Sequence, residues 1–137
     1  MKVDRTSKLI VDFKVTAASA NDGAQLPELV GPEDRVVHAD CAYNRDLVRD
    51  HLRAIGARAC LQMKGTRHVK LTAAQRQSNR WHARTRVRVE HVFAIISNCL
   101  HADHLRYIGQ KRIAAAIALT NLLHNFLRVG QLHALRA

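Results

Sequence analysis

The chain has 137 residues, with 22 Lys and Arg against 11 Asp and Glu, a formal net charge of +11, and 47% apolar residues. That length suits one domain with a sizeable core, and the apolar content excludes a disordered tail. The uninterrupted apolar runs are too short to span a membrane, and Met1-Lys2-Val3-Asp4 lacks the apolar stretch expected of a secretory signal. Three widely spaced cysteines, Cys41, Cys60 and Cys99, fit reduced thiols in a cytoplasmic protein rather than a disulfide framework.

Lys2–Asp4 reads as the stub of a strand. Arg5-Thr6-Ser7-Lys8 then turns the chain into an antiparallel partner over Leu9–Thr16. Leu9, Val11, Phe13 and Val15 form the apolar face of that partner, with Ile10 the exception to the alternation. A short helix is predicted around Ala24–Val30, its start limited by Pro27 and its end set by Gly31-Pro32. Arg35–Ala39 is a strand with Asp40 at its C-terminal end. Asn44–Ile55 is an amphipathic helix burying Leu47, Val48, Leu52 and Ile55, stopped by Gly56. Ala57–Met63 is a further strand, followed by a basic loop from Lys64 to Lys70. Thr72 to about Cys99 is helical, with Val89, Val92, Phe93, Ile96 and Leu100 as its buried stripe. Ile113–Val129 is a second long helix, apolar on several faces and so requiring something to pack against. The order predicts an α/β layer protein.

Charge is divided unevenly along this order. Residues 1–50 carry a net −2 and residues 51–137 a net +13, with Glu90 the single carboxylate between Arg53 and Ala102. Arg outnumbers Lys 16 to 6. A basic half rich in guanidinium forks points to a phosphate polymer. Asp40, at a strand C-terminus, lies where open α/β sheets hold ligands and where a carboxylate can take a hard cation; a loop cap is the plainer role. Glu90 stands among Arg84, Arg86 and Arg88, either as the partner of Arg86 one turn earlier or as a second metal ligand. Cys99-x-His101-x2-His104 offers three zinc donors without a matching second pair, which makes zinc a weak reading there. Trp81 is either a packing anchor or a base-stacking platform, the anchor being the commoner role.

Several segments together resemble the DDE transposases of bacterial insertion sequences, the IS4/IS5-type group, over the C-terminal part of their catalytic domain. Val15-Thr16-Ala17-Ala18 through Asn21-Asp22 is similar to that family's "vTpAnvhD" segment. His38-Ala39-Asp40-Cys41-Ala42-Tyr43 resembles "aDkgY", which carries the second catalytic Asp. Arg86-Val87-Arg88-Val89-Glu90 resembles the "R-x3-E" helix, which carries the catalytic Glu. Leu105-Arg106-Tyr107-Ile108-Gly109 and Leu119-Thr120-Asn121-Leu122 match the "RyrG" and "L-x-NL" features that follow. Each motif is modest alone; five in order are specific. Two signature positions depart: Ala83 stands where the family has Tyr and Ser97 where it has Lys.

The resemblance implies a single partial catalytic domain over residues 1–137. Its fold would be an RNase H-like mixed sheet with flanking helices, lacking the first (central) strand and the first catalytic Asp. It implies Asp40 and Glu90 as catalytic metal ligands for two Mg²⁺ ions. Arg67, Lys70, Arg80, Arg84, Arg86 and Arg88 would contact double-stranded DNA at insertion-sequence ends, in a cytoplasmic, nucleoid-associated protein that would form a homodimer. The function implied is metal-dependent strand cleavage and transfer, in an N-terminally truncated form that is catalytically incomplete alone. Of the remaining acids, Asp4 is the least implausible replacement for the missing carboxylate, ahead of Asp12 and Asp22. The alternative function is a catalytically inactive basic remnant that binds DNA non-specifically. An unrelated basic structural or ribosome-associated module is a third, disfavoured by the motif order.

Overall fold

The computed structural model describes residues 1–16, 22–102 and 106–135, and for Asp22 and Gly23 the backbone alone. The elements are β1 (Lys2–Val3), β2 (Ile10–Asp12), α1 (Asp22–Leu29), β3 (Val36–Ala39), a 3₁₀ turn (Cys41–Tyr43), α2 (Asp46–Ala54), β4 (Arg58–Leu61), α3 (Ala73–Asn98) and α4 (Gln110–Ala134). They form two compact units: Asn21–Val87, and Met1–Ala20 together with Arg88–Ala137. The strands make two separate two-stranded ladders, one antiparallel (β1–β2) and one parallel (β3–β4). The described strands are thus not joined into the single mixed sheet implied by the resemblance.

In the Asn21–Val87 unit, β3 and β4 pair in parallel with Val36 opposite Arg58, His38 opposite Cys60 and Ala39 opposite Leu61. A parallel pair needs a crossover, and α2 supplies it. The core gathers Leu26 and Val30 from the α1 region, Val48 and Leu52 from α2, and Ala57 and Leu61 from the β4 strand and its approach. Val37, Ala39, Tyr43 and Ile55 pack against it. Val48 and Leu52 are fully buried, whereas Leu47, expected on the same face, is exposed. Val48 and Leu52 lie one turn apart and define the stripe; Leu47 is rotated about 100° from Val48, outside it.

Gly56 ends α2 as expected, with φ +73°. The Gly56 N–H donates to the Arg53 carbonyl at 3.1 Å and the Ala57 N–H to Leu52 at 2.8 Å, the paired bonds of a Schellman cap. Helix α1 begins two residues earlier than the expected Ala24 and accommodates Pro27 in its last turn. Thr72 and Gln75 open α3 with a reciprocal capping box: the Gln75 N–H donates to Thr72 Oγ1 and the Thr72 N–H to Gln75 Oε1.

In the other unit, β1 and β2 form a short hairpin with a register shift beside Lys2 and Val3. The buried residue of β2 is Ile10, and Val11 is 59% exposed, the reverse of the expected facing. Ile10 is fixed inward because Asn125 of α4 clasps its backbone. Asn125 Oδ1 accepts from the Ile10 N–H, and Asn125 Nδ2 donates to the Ile10 carbonyl, each at 2.8 Å. Arg128 Nε donates to the Ser7 carbonyl at 2.7 Å, and His124 Nε2 lies 3.2 Å from the Lys8 carbonyl.

Helix α4 therefore packs through polar residues. Asn121, His124, Asn125 and Arg128 recur at the i, i+3, i+4, i+7 spacing of one helix face. Asn121 and His124 are buried, while Leu119, Leu122, Leu123, Phe126, Leu127 and Val129 are exposed. By length and composition α4 would also cross a bilayer, the one described helix that would. The polar stripe through its middle, engaged with the hairpin, is costly in hydrocarbon. On α3 the buried stripe is narrower than expected: Val92 is fully buried, but Phe93 is exposed.

Candidate functional site

Asp40 caps the 3₁₀ turn that follows β3. Its backbone is extended (φ −79°, ψ −178°), and Oδ1 accepts the Ala42 N–H at 2.8 Å. The expected capping role is met, and it uses one carboxylate oxygen. The other, Oδ2, lies 3.6 Å from Arg86 Nη1 in an ion pair whose side chains are 36% and 37% exposed. Arg86 Nη1 also reaches Gln62 Oε1 at 3.5 Å. Arg86 is thus placed on Asp40 from a helix 46 residues downstream.

The geometry of that contact repeats one layer earlier. His38, two residues before Asp40 on β3, meets His82, four residues before Arg86 on α3, ring edge to ring face with centroids 5.7 Å apart. Two strand residues advance about 6.6 Å and four helical residues about 6 Å, so the strand and helix stay in step over both layers. Cys60, the register partner of His38 in the parallel ladder, closes the inner layer from β4. Ligand atoms of His38, Cys60 and His82 lie within 4.8 Å of one another.

Nearby polar side chains hold the chain after β4. The Asn79 side-chain amide clasps Met63, accepting its N–H at 2.9 Å and donating to its carbonyl at 2.8 Å. Asn44 Nδ2 donates to the Gln62 carbonyl at 3.0 Å. The exit of β4 and the start of α3 are thereby tied together, and Arg86 is carried by a fixed helix. Trp81 is 57% exposed and in a T-shaped contact with His82, so the packing-anchor expectation is overturned; Arg80 and Arg84 of the same helix are also exposed. Arg67 and Lys70 are exposed on the loop before α3, where the Thr66 N–H donates to the Val69 carbonyl.

Glu90 lies on α3 one turn after Arg86, exposed, in the unit of Met1–Ala20 and Arg88–Ala137. Arg88, in the same unit, donates through Nη1 to the Arg5 carbonyl at 2.9 Å. Asp4 is occupied by its turn. Oδ2 accepts the Ser7 Oγ–H and N–H at 2.6 Å and the Thr6 N–H at 3.0 Å. These bonds, led by the Ser7 hydroxyl, hold its pKa below the usual 3.8. Asp12 Oδ1 accepts the Phe13 N–H. Asp4 is a turn-forming carboxylate, which explains its place in the sequence without a catalytic role.

Ala17, Ala18, Asn21 and Leu105 of the resembled segments, and His104 of the Cys99 group, lie outside the described residues. Asn121, from the "L-x-NL" feature, is buried, with no hydrogen-bond partner at Nδ2 among the described residues. The sequence reading missed the His38–Cys60–His82 group. No spacing motif signals it, because three distant segments contribute one residue each; the parallel register of β3 and β4 is what unites two of them.

The family model described as Transposase DDE domain matches residues 1–126. The chain is also 28% identical, over 118 residues, to the transposase for insertion sequence element IS1106 of Neisseria meningitidis serogroup B. That alignment covers 85% of the chain and 41% of the relative, so the chain spans less than half of that protein's length. No solved structure matches the chain.

Proposed function

The chain belongs to the transposase DDE domain family, and from that premise we propose that it binds duplex DNA at insertion-sequence ends and serves metal-dependent strand cleavage and transfer. One observation carries the reading. The Arg of the "R-x3-E" segment and the Asp of the "aDkgY" segment, 46 residues apart in sequence, are paired at 3.6 Å. Glu90 follows that Arg by one helical turn, as the family's second assigned carboxylate does.

The donor chemistry fits a hard divalent cation. Asp40 keeps a partly exposed carboxylate oxygen, and Glu90 an exposed carboxylate. In this proposal Asp40 and Glu90 share Mg²⁺. When bound, the ions would stabilise the charge that builds on the attacking and leaving oxygens of an in-line displacement at phosphorus. The residues of the chain do the rest. The Ala42 N–H fixes the Asp40 carboxylate through Oδ1, leaving Oδ2 to face Arg86. Arg86 neutralises Oδ2 while no cation is there and is positioned to turn toward a DNA phosphate when one arrives. Arg67, Lys70, Arg80 and Arg84 supply phosphate contacts, and Trp81 a stacking face. Arg88 adds a further basic group on the same helix. An RNase H-like arrangement, a cytoplasmic and nucleoid-associated location and a homodimer belong to the same reading. Asp40 and Glu90 are two carboxylates of a three-carboxylate site, so the chain by itself is proposed not to complete the reaction.

Mn²⁺ binding measured by electron paramagnetic resonance tests the shared site. Asp40→Asn and Glu90→Gln should each weaken binding, with little further loss in the double variant; independent, additive losses would overturn a shared site. Affinity for two unrelated duplexes across a salt series tests the DNA reading. It should fall steeply and alike for both, through counterion release. A flat salt response would sink it. Robust Mg²⁺-dependent nicking by the purified chain, lost in both variants, would uphold the site and overturn the incompleteness.

A further inference from the structure

We propose that His38, Cys60 and His82 form a binding site for a borderline-soft divalent cation of the zinc type, distinct from the oxygen-donor site at Asp40. Two imidazoles and a thiolate are the donors that zinc prefers, whereas Mg²⁺ takes oxygen. Tetrahedral coordination at ordinary Zn–N and Zn–S bond lengths brings ligand atoms to about 3.3–3.6 Å of one another. The three donors already lie within 4.8 Å, so side-chain rotation of about 1 Å closes the site. A three-residue set leaves the fourth tetrahedral position to water or another ligand.

Two further observations separate this group from histidines that merely touch. The first is position. Cys60 is buried on β4, His38 is its register partner on β3, and His82 descends from α3, so three elements converge on one point. A bound ion would crosslink strand, strand and helix where packing is otherwise two aromatic edges and a thiol. The second is the state of His82. Its Nε2 lies 3.2 Å from Ser78 Oγ, while its Nδ1 is buried without a hydrogen-bond partner among the described residues. With the proton on Nε2, donated to Ser78, Nδ1 presents a buried lone pair. That is how a metal-ligating imidazole is held: one nitrogen oriented by a hydroxyl or carbonyl, the other on the ion. A buried acceptor left unbonded is costly, and a cation would satisfy it.

The site lies one layer inward from the Asp40–Arg86 pair, on the same strand and helix. An ion there would fix the separation of β3 from α3, and with it the reach of Arg86 to Asp40. Its role is structural; it touches no reacting group.

The test uses the full 137-residue chain, stripped of metal under reducing conditions and titrated with Co²⁺. One equivalent should produce the sulfur-to-cobalt charge-transfer band and the intense visible bands of tetrahedral cobalt. Zn²⁺ should then displace them. Cys60→Ser should abolish the charge-transfer band, while Cys41→Ser and Cys99→Ser should keep it. Because Cys60 is buried, its variant is checked by far-ultraviolet circular dichroism. His82→Gln, at a half-buried position, is the second variant: it should weaken the visible bands and remove the rise in melting temperature that Zn²⁺ gives the parent chain. Absence of the sulfur band, its survival in Cys60→Ser or its loss in Cys41→Ser would overturn the proposal and return the three residues to ordinary packing.

Discussion

Replacing Asp40 by Asn separates its two structural duties. The amide oxygen of Asn caps a turn as well as a carboxylate does, so the bond to the Ala42 N–H survives and only the charge paired with Arg86 is lost. At 3.6 Å and an effective dielectric near 20, bare attraction would be about 4–5 kcal/mol. Both side chains are more than a third exposed, however, and solvent screening with lost side-chain freedom brings such pairs to about 0.5–1 kcal/mol. Asp40→Asn should therefore cost no more than about 1 kcal/mol, and Asp40→Ala about 1 kcal/mol more, because it also removes the cap. Urea unfolding of the parent, Asp40→Asn, Arg86→Gln and the double variant measures this as a cycle. The coupling should be below about 1 kcal/mol and shrink as salt is raised. A coupling above about 2 kcal/mol, or equal losses in Asp40→Asn and Asp40→Ala, would refute the assignment of separate oxygens to separate tasks.

Gly56→Ala should destabilise by about 1 kcal/mol although nothing lies within 4 Å of the added methyl, because the cost is the left-handed backbone alone; Gly56→Asn should cost less in the same urea series. Asn125→Ala strips both partners from the Ile10 backbone, a loss of about 1–3 kcal/mol, and should expose the hairpin amides first in hydrogen exchange. The lowered pKa of Asp4 fixes a sign: its contribution is full above the ordinary value of 3.8 and is lost as pH falls through the lower folded value. The stability gap between parent and Asp4→Asn, followed by circular dichroism during acid titration, should narrow as pH falls; a gap that widens would contradict the turn geometry.

Much of the fold is legible in local chemistry. The strands around Val36 and Arg58, helix α2 with its Gly56 stop, and the two long helices all follow from periodicity and caps. Facing was harder to read where polar groups decide it. Ile10 points inward because Asn125 holds its backbone, a tie across 115 residues that no window of sequence contains. Hydropathy likewise marks α4 as needing apolar company, yet Asn121, His124, Asn125 and Arg128 form its packed face; their helical spacing was visible but reads as a solvent stripe. At the site, Asp40 is legible from its place at the C-terminal end of a strand and Arg86 from the resemblance to a known segment, whereas the contact between them, 46 residues apart, is not local. The His38–Cys60–His82 group depends on strand register, which local pattern does not specify.

The Asn125 clasp also gives the β1–β2 ladder a direction of growth. A side-chain amide has the same donor–acceptor pair as a backbone peptide, and Asn125 spends both on the outward-facing groups of Ile10. At that point β2 has, in effect, already been given its next neighbour, supplied by a helix. A strand arriving there from another molecule would have to evict the amide and lose two bonds before gaining any, which discourages unwanted edge pairing. Further strands joining this ladder would do so alongside β1, and the clasp thereby specifies the side from which a larger sheet can be built.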